Sequence, residues 1–317
     1  MSATTPIDLS ESPAMQEARD AARSLWRDAL QRFAHDRVSM LALLVLLIIT
    51  LASFLGPPIV ESVLHVDVNR TSVPNRYIPP NRTHLLGTDQ LGRDQLIRLL
   101  YGGRISLGIA YLASVFSITI GVVTGIVAGY MGGAVDDLMV WFINTLRSIP
   151  AIFLLLIATT IWSPSPQVLI ALLGFLGWFE TSRLIRGQVI VQKRRDYVLA
   201  AQAVGASQRY VMFYHIFPNV VPIAIISLTI SAGALILAES GLSFLGLGVH
   251  PPTPTWGNML SAARDYFFRG AYLVVSPGVL ITATVLCFYL IGDGLRDALD
   301  PRSRGQSKPA LKNPKSR

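Results

Sequence analysis

Glu239 is a carboxylate set in the apolar run 220–242, with no oppositely charged neighbour in sequence. An ionised carboxylate is costly in hydrocarbon, so it must face protein, water or a cation. Two readings stay open. Glu239, with Ser240 beside it, lines a path for a moving solute, or it makes a structural hydrogen bond. As a proton or sodium site, Glu239 would suit an ion-coupled secondary transporter. Glu180, near the end of the run 167–184, has Arg183 one turn away, which supplies an ion-pair partner. Asp89 and Asp94 match no calcium-loop spacing and lie near Arg93 and Arg98, so structural pairing is expected there and no metal. The histidines at 35, 65, 84, 215 and 250 are scattered, and no nucleophile–base pair accompanies them, so catalysis has no support. A phosphate-binding loop needs Gly-Lys-Ser/Thr, and Lys315-Ser316 follows a proline.

These residues sit in a very apolar chain. Of 317 residues, 51% are hydrophobic and 15% charged, against about 25% charged in an average soluble domain. The mean hydropathy is +0.48. A single cysteine, Cys287, excludes an intrachain disulfide and reads as a buried thiol. Six runs are long enough to cross roughly 30 Å of hydrocarbon, at 39–55, 105–130, 138–161, 167–184, 220–242 and 272–291. The first begins too late for a cleaved signal peptide and is expected to be a retained anchor. The net charge of +8 comes without basic residues interleaved with aromatics, so it reports topology and not a nucleic-acid partner. With a cytoplasmic N-terminus, 18 of the 27 Lys and Arg residues fall inside and 8 outside, with Arg147 at a boundary. That places both termini in the cytoplasm.

Before the first run, Leu25, Trp26, Ala29, Leu30 and Phe33 recur at helical spacing, as an interfacial helix in contact with lipid or a plain lead-in. The loop 56–104 is rich in Pro and Asn, with Thr88 or Asp89 as the cap of a short helix through Leu100. Gly121, Gly125 and Gly129 put a side-chain-free face on the second span, which lets another backbone approach. Pro150 lies inside the third span, and Arg147 before it reads as a residue reaching towards headgroups.

Between spans four and five lies "YVLAAQAVGASQRYVMFYHIFPN", 197–219. Asp196 can cap a helix over 196–204, Gly205 can end it in a left-handed conformation, and Ser207 can cap a second helix closed by Pro218. Tyr197, Ala200, Ala201 and Val204 share one face of the first helix; Tyr210, Phe213, Tyr214 and Phe217 share one of the second. Small alanines on such a face suit docking in a partner's groove, or close contact with a lipid surface.

This stretch resembles the loop that marks permease subunits of ABC-type importers, a pattern of Glu-Ala-Ala, three residues, Gly, and a later Pro. Ala200, Ala201, Gly205 and Pro218 match it, while Leu199 stands where glutamate is usual and Phe217 where leucine is usual. "HLLGTDQLGRDQLIRLLYGGRISLG", "LAESGLSFLGLGVHPPTPTWGNML" and "PGVLITATVLCFYLIGDGLRDALDPR" are similar to the "C" subunit of the dipeptide and oligopeptide subfamily, which has nickel-type relatives. The resemblance implies an all-α, six-span permease of the type I ABC importer fold, active as a peptide importer and carrying no cofactor itself. Nickel, glutathione and oligosaccharide remain alternative cargoes. It implies a second permease chain, two cytosolic ATPases that bind ATP and magnesium, and an external solute-binding protein. The ATPases would grip Asp196, Tyr197, Ala200, Ala201, Gly205, Ala206, Ser207 and Pro218. Pro252 and Trp256 in "GVHPPTPTWGNML" are the candidate docking surface for the binding protein, or the segment is a loop packed on itself. The chain then divides into a cytoplasmic segment 1–38, a first span and external loop 39–104, a core 105–292 containing the coupling loop 185–218, and a tail 293–317.

Overall fold

The computed structural model describes residues 27–64, 68–268 and 270–300. A helix over 27–35 (α1) buries Ala29 and Phe33 and exposes Leu30; Leu25 and Trp26 lie outside the described residues. Asp36 ends it and caps α2 (Arg37–Ile59), its carboxylate accepting from the amides of Val38 and Ser39.

The second span differs from expectation. Helix α3 (Gln95–Met131) starts at Gln95, capped by Asp94 and not by Thr88 or Asp89, and runs unbroken for 37 residues. At 1.5 Å per residue it is about 55 Å long, well beyond the hydrocarbon thickness. Asp89 instead ties the preceding loop together, as its position between two arginines suggests: its carboxylate lies 2.7 Å from Arg93 Nε and 3.6 Å from Arg98 Nε.

The third apolar run is bent. Helices α4 (Gly133–Arg147) and α5 (Ala151–Ile161) meet at 77°. Pro150 lies at the break, where it offers no N–H and disfavours helix at Ile149. Helix α6 (Pro166–Gln192) follows, capped by Ser165.

Helices α3 and α6 lie parallel and in contact along the glycine face. A Cβ at Gly121 would come 2.6 Å from Thr181 Cβ, one at Gly125 2.7 Å from Ser182 O, and one at Gly129 2.8 Å from Arg186 O. The last two obstacles are backbone and cannot yield. Because α3 and α6 point the same way, the chain must return between them, and the bent pair α4–α5 makes that crossing. Arg186 pairs with Asp136 through both prongs of its guanidinium, fixing the start of α4 to the end of α6. Arg147 pairs with Glu180 at 2.5 Å, so neither residue behaves as its sequence neighbours suggest. Arg183 is not the partner of Glu180; the antiparallel return of α4 brings Arg147 there first.

After α6 come α7 (Asp196–Ala203) and α8 (Gln208–Tyr210). A π-helical turn, Val211–Ile216, joins α8 to α9 (Phe217–Phe244), so Gln208–Phe244 forms one 37-residue rod. Pro218 therefore does not close a helix. It occupies the first turn of α9, and the widened turn before it relieves the clash its ring would make with the carbonyl of Tyr214. Helices α10 (Trp256–Ala263) and α11 (Tyr272–Leu299) are the last among the described residues. The crossings are thus α2, α3, α4–α5, α6, α9 and α11.

Contacts fix the directions. Ser53 of α2 meets Gly103 near the start of α3, Gly233 and Gly292 pack α9 antiparallel to α11, and Ser39 of α2 meets Gly294 of α11. One end of the bundle therefore carries α1, the last turns of α3, α6 and α11, and the α7–α8 loop. The opposite end carries the loop before α3 and helix α10.

The α3–α6 seam gives a direct test. Gly125→Val is expected to lower the thermal midpoint of the detergent-purified protein, since overpacking costs about 1–3 kcal/mol. Gly108→Val is the control, because nothing lies within 4 Å of a Cβ there. Equal midpoints would show that the seam is not tight.

Candidate coupling loop

Helix α7 hangs from the ends of the α3–α6 seam. The Lys193 ammonium, at the C-cap of α6, donates to Tyr130 O at 2.6 Å and lies 5.2 Å from the centre of the Tyr130 ring. Gln202 Nε2 of α7 donates to Tyr130 Oη at 3.1 Å. The Tyr197 hydroxyl lies 2.8 Å from Gln192 Oε1. Partial burial raises the Tyr197 phenol above its ordinary pKa, so it remains a neutral donor there. Val198, fully buried, packs in one cluster with Ile185 and Val189 of α6 and with Val211 and Ile216. Burying a side chain of that kind contributes about 1.5–3 kcal/mol. Two polar contacts and one apolar plug hold a helix of eight residues, and the Lys193–Tyr130 contact ties together the helix ends it hangs from.

The helix ends differ slightly from expectation. Arg195 stands at the N-cap without a side-chain bond, and Asp196 is the first helical residue, where its negative charge suits the helix dipole. At the other end Gly205 has φ +87°. The Gly205 amide donates to Gln202 O and the Ala206 amide to Ala201 O, both at 3.0 Å, which is a Schellman closure. Ser207 Oγ then accepts from the Tyr210 amide. A hairpin with a fixed angle results.

Its outward face is shifted from the one the spacing suggests. Because Val198 points inward, Ala201 is half-buried, whereas Leu199, Ala200, Ala203 and Val204 are exposed, Val204 at 84%. Tyr197 is exposed at the edge of this face. Phe213, Tyr214 and Phe217 add exposed aromatic surface on the second limb, while Tyr210 stacks on Tyr214 at 4.7 Å. Leu199 and Ala203 were missed; the burial of Val198 between α6 and the π turn sets the helix phase, and no local pattern announces it. Pro218 is exposed at the start of α9, away from this face.

Residues 121–305 match the family described as binding-protein-dependent transport system inner membrane component. Residues 24–80 match the N-terminal transmembrane domain of oligopeptide transport permease C. The oligopeptide transport system permease protein OppC of Bacillus subtilis (strain 168) is 34% identical over 298 residues, spanning 92% of this chain and 96% of that protein.

The chain belongs to this permease family.

The OppC protein of Escherichia coli (strain K12) is 36% identical over 282 residues, 89% of this chain and 93% of its own. The dipeptide transport system permease protein DppC of Bacillus subtilis (strain 168) is 35% identical over 282 residues, 89% of this chain and 87% of its own. This permease is therefore an all-α, multi-pass membrane protein of the type I ABC importer fold.

At the far end of the permease Glu239 makes the structural hydrogen bonds that were one of its two expected readings, and Trp256 departs from expectation. Glu239 is 0% exposed and sits among hydroxyls: Ser243 Oγ at 2.8 Å, Ser106 Oγ at 3.1 Å and Ser240 Oγ at 3.5 Å. Ser106 Oγ also accepts from the Trp256 amide at 3.2 Å. Glu239 thus joins α3, α9 and α10, and both it and Ser240 are buried in this structure. Trp256 is no surface anchor. It is 0% exposed, its indole N–H donating to Leu99 O at 2.9 Å. Pro252 in the same segment is exposed.

The turn at Gly205 yields a second test. Gly205→Val forces a β-branched residue into the left-handed region and is expected to cost about 1–2 kcal/mol locally. Hydrogen exchange should speed up roughly tenfold at the amides of 198–204, with little change at Gly205→Asn. Unchanged protection in Gly205→Val would remove the Schellman turn as the support of α7.

Proposed function

We propose that this permease is one subunit of the membrane pore of an ATP-driven importer of peptides, and that α7 is where the motor acts. The relatives carry the names of oligopeptide and dipeptide transport permeases, and the likeness runs along nearly the whole chain. The observation that carries the mechanical reading is the double nature of α7. Its inner side is pinned to Tyr130 and Gln192, while its outer side presents Leu199, Ala200, Ala203 and Val204. A small apolar face on a short, fixed helix fits a groove in a partner.

The partners follow from this reading. Two cytosolic ATPases bind ATP and magnesium, and each grips one such helix. Their closure displaces α7, and through Tyr130 and Gln192 it displaces the ends of α3 and α6. A rigid seam then carries the displacement across the membrane, switching the pore between outward and inward openings. A second permease chain and lipid cover the apolar surface left open on α4 and α5, including Trp141, Phe153, Ile157 and Ile161. An external binding protein delivers the peptide at the α10 end, where the exposed turn around Pro252 offers a surface. The end bearing α7 and both chain termini is cytoplasmic, as the distribution of Lys and Arg favours. Glu239 and Ser240 serve as a clamp between α3, α9 and α10, with selectivity for the cargo left to the binding protein and the pore wall.

Leu199 gives this reading its test. Cysteines at Ala200 or Leu199 are expected to cross-link to the ATPase in membranes carrying the whole transporter. Leu199→Arg should cut peptide uptake at least about tenfold at normal membrane levels, the cost of burying one unpaired charge in an apolar groove being above 1.4 kcal/mol. Uptake by this chain reconstituted without ATPases, or full uptake in Leu199→Arg, would overturn the proposal.

A further inference from the structure

At the start of α3 the two arginines beside Asp89 are not equivalent. Arg93 is paired, its Nε donating to Asp89 Oδ2 at 2.7 Å and its terminal nitrogens left over for another acceptor. Arg98 approaches the same oxygen only at 3.6 Å, and its Nη1 has no hydrogen-bond partner although the residue is 5% exposed. Asp89 is already committed, its other oxygen accepting from the Leu91 and Arg93 amides. Among the described residues the cluster therefore holds two guanidinium charges against one carboxylate, and all three residues are buried. A guanidinium group stays protonated under such conditions, and a buried donor left unpaired is costly.

A cavity of about 20 Å³ opens beside this cluster, lined by Asp89, Arg93, Gln95 and Arg98 on one side and by Met259 and Leu273 on the other. That is room for one water-sized occupant. Gln95 Nε2 is turned away, towards Leu273 O and Ser276 Oγ. The excess positive charge, the orphan Nη1 and a space for a single small group belong together.

We propose that this cavity binds one small monovalent anion of chloride size, held by Arg98 and Arg93 in the space that α10 and α11 close off at the start of α3. The anion neutralises the second arginine, supplies the missing acceptor, and locks the end of the bundle where Trp256 and Glu239 are seated. The same chemistry serves a free halide or a carboxylate that reaches in through the side of the cavity bordered by Gln90 and Ala262. The site is independent of peptide import and of α7.

The purified full-length chain in detergent tests this by thermal unfolding at constant ionic strength in sodium chloride, bromide, formate or gluconate, the last too large to enter. Chloride and bromide are expected to raise the midpoint saturably by about 2–4 °C over gluconate. A matching effect of formate supports the site with a carboxylate as an admissible occupant; a halide effect without a formate effect supports it as a halide site. Arg98→Gln should abolish the response. Should that variant fail to accumulate, Ala262→Leu narrows the cavity while leaving both arginines in place, and it should abolish the response as well. Superimposed curves in chloride, bromide and gluconate overturn the proposal and assign the cavity to water, and so does a full halide response in either variant.

Discussion

The close approach of α3 to α6 is the constraint from which the rest of this permease follows. Three glycines at intervals of four leave one face of α3 without side chains, so that α6 lies directly against its backbone there. In hydrocarbon no hydrophobic effect pushes helices together, so dispersion between tightly fitted surfaces has to do it. Parallel neighbours that are adjacent in the chain also dictate the topology: whatever joins them must recross the layer. That requirement makes the bent α4–α5 pair a crossing, and the two ion pairs of α4 with α6 hold its first half against the seam.

The seam also explains how a short helix at one end can matter at the other. Tyr130 and Gln192 lie at the ends of the two seam helices, and they are the residues whose polar groups hold α7, with Lys193 tying the two ends together. A lone helix of eight residues is far too short to be stable in water. Its shape is borrowed from the buried Val198, the Schellman turn at Gly205 and the cap at Ser207. It is therefore rigid relative to α3 and α6, and its outer surface can remain small and apolar without a role in folding.

Much of this was legible from single letters. The glycine seam, the left-handed turn at Gly205 and the cap at Ser207 could be seen because each depends on a local property of one residue type. What was not legible depended on distant partners. The Trp256 indole finds its acceptor 157 positions away, at Leu99 O, so a tryptophan in a proline-rich segment reads as a surface anchor when it is a core residue. Glu180 has an arginine one turn away in sequence, yet the return of α4 delivers Arg147 to it instead. The face of α7 was misphased because its phase is set by what Val198 packs against. Asp94, and not Asp89, caps α3 because Asp89 is drawn off by two arginines and two amides.

The π turn between α8 and α9 has a mechanical consequence. Prolines at 218 and 222 leave two amides missing from the ladder of the rod just beyond the point where Val211 and Ile216 grip Val198. A shaft weakened there would swivel at its root before it bent along its length, so under the proposed coupling a twist at α7 would not have to drag the remote half of α9, which is packed on α11 through Gly233 and Gly292.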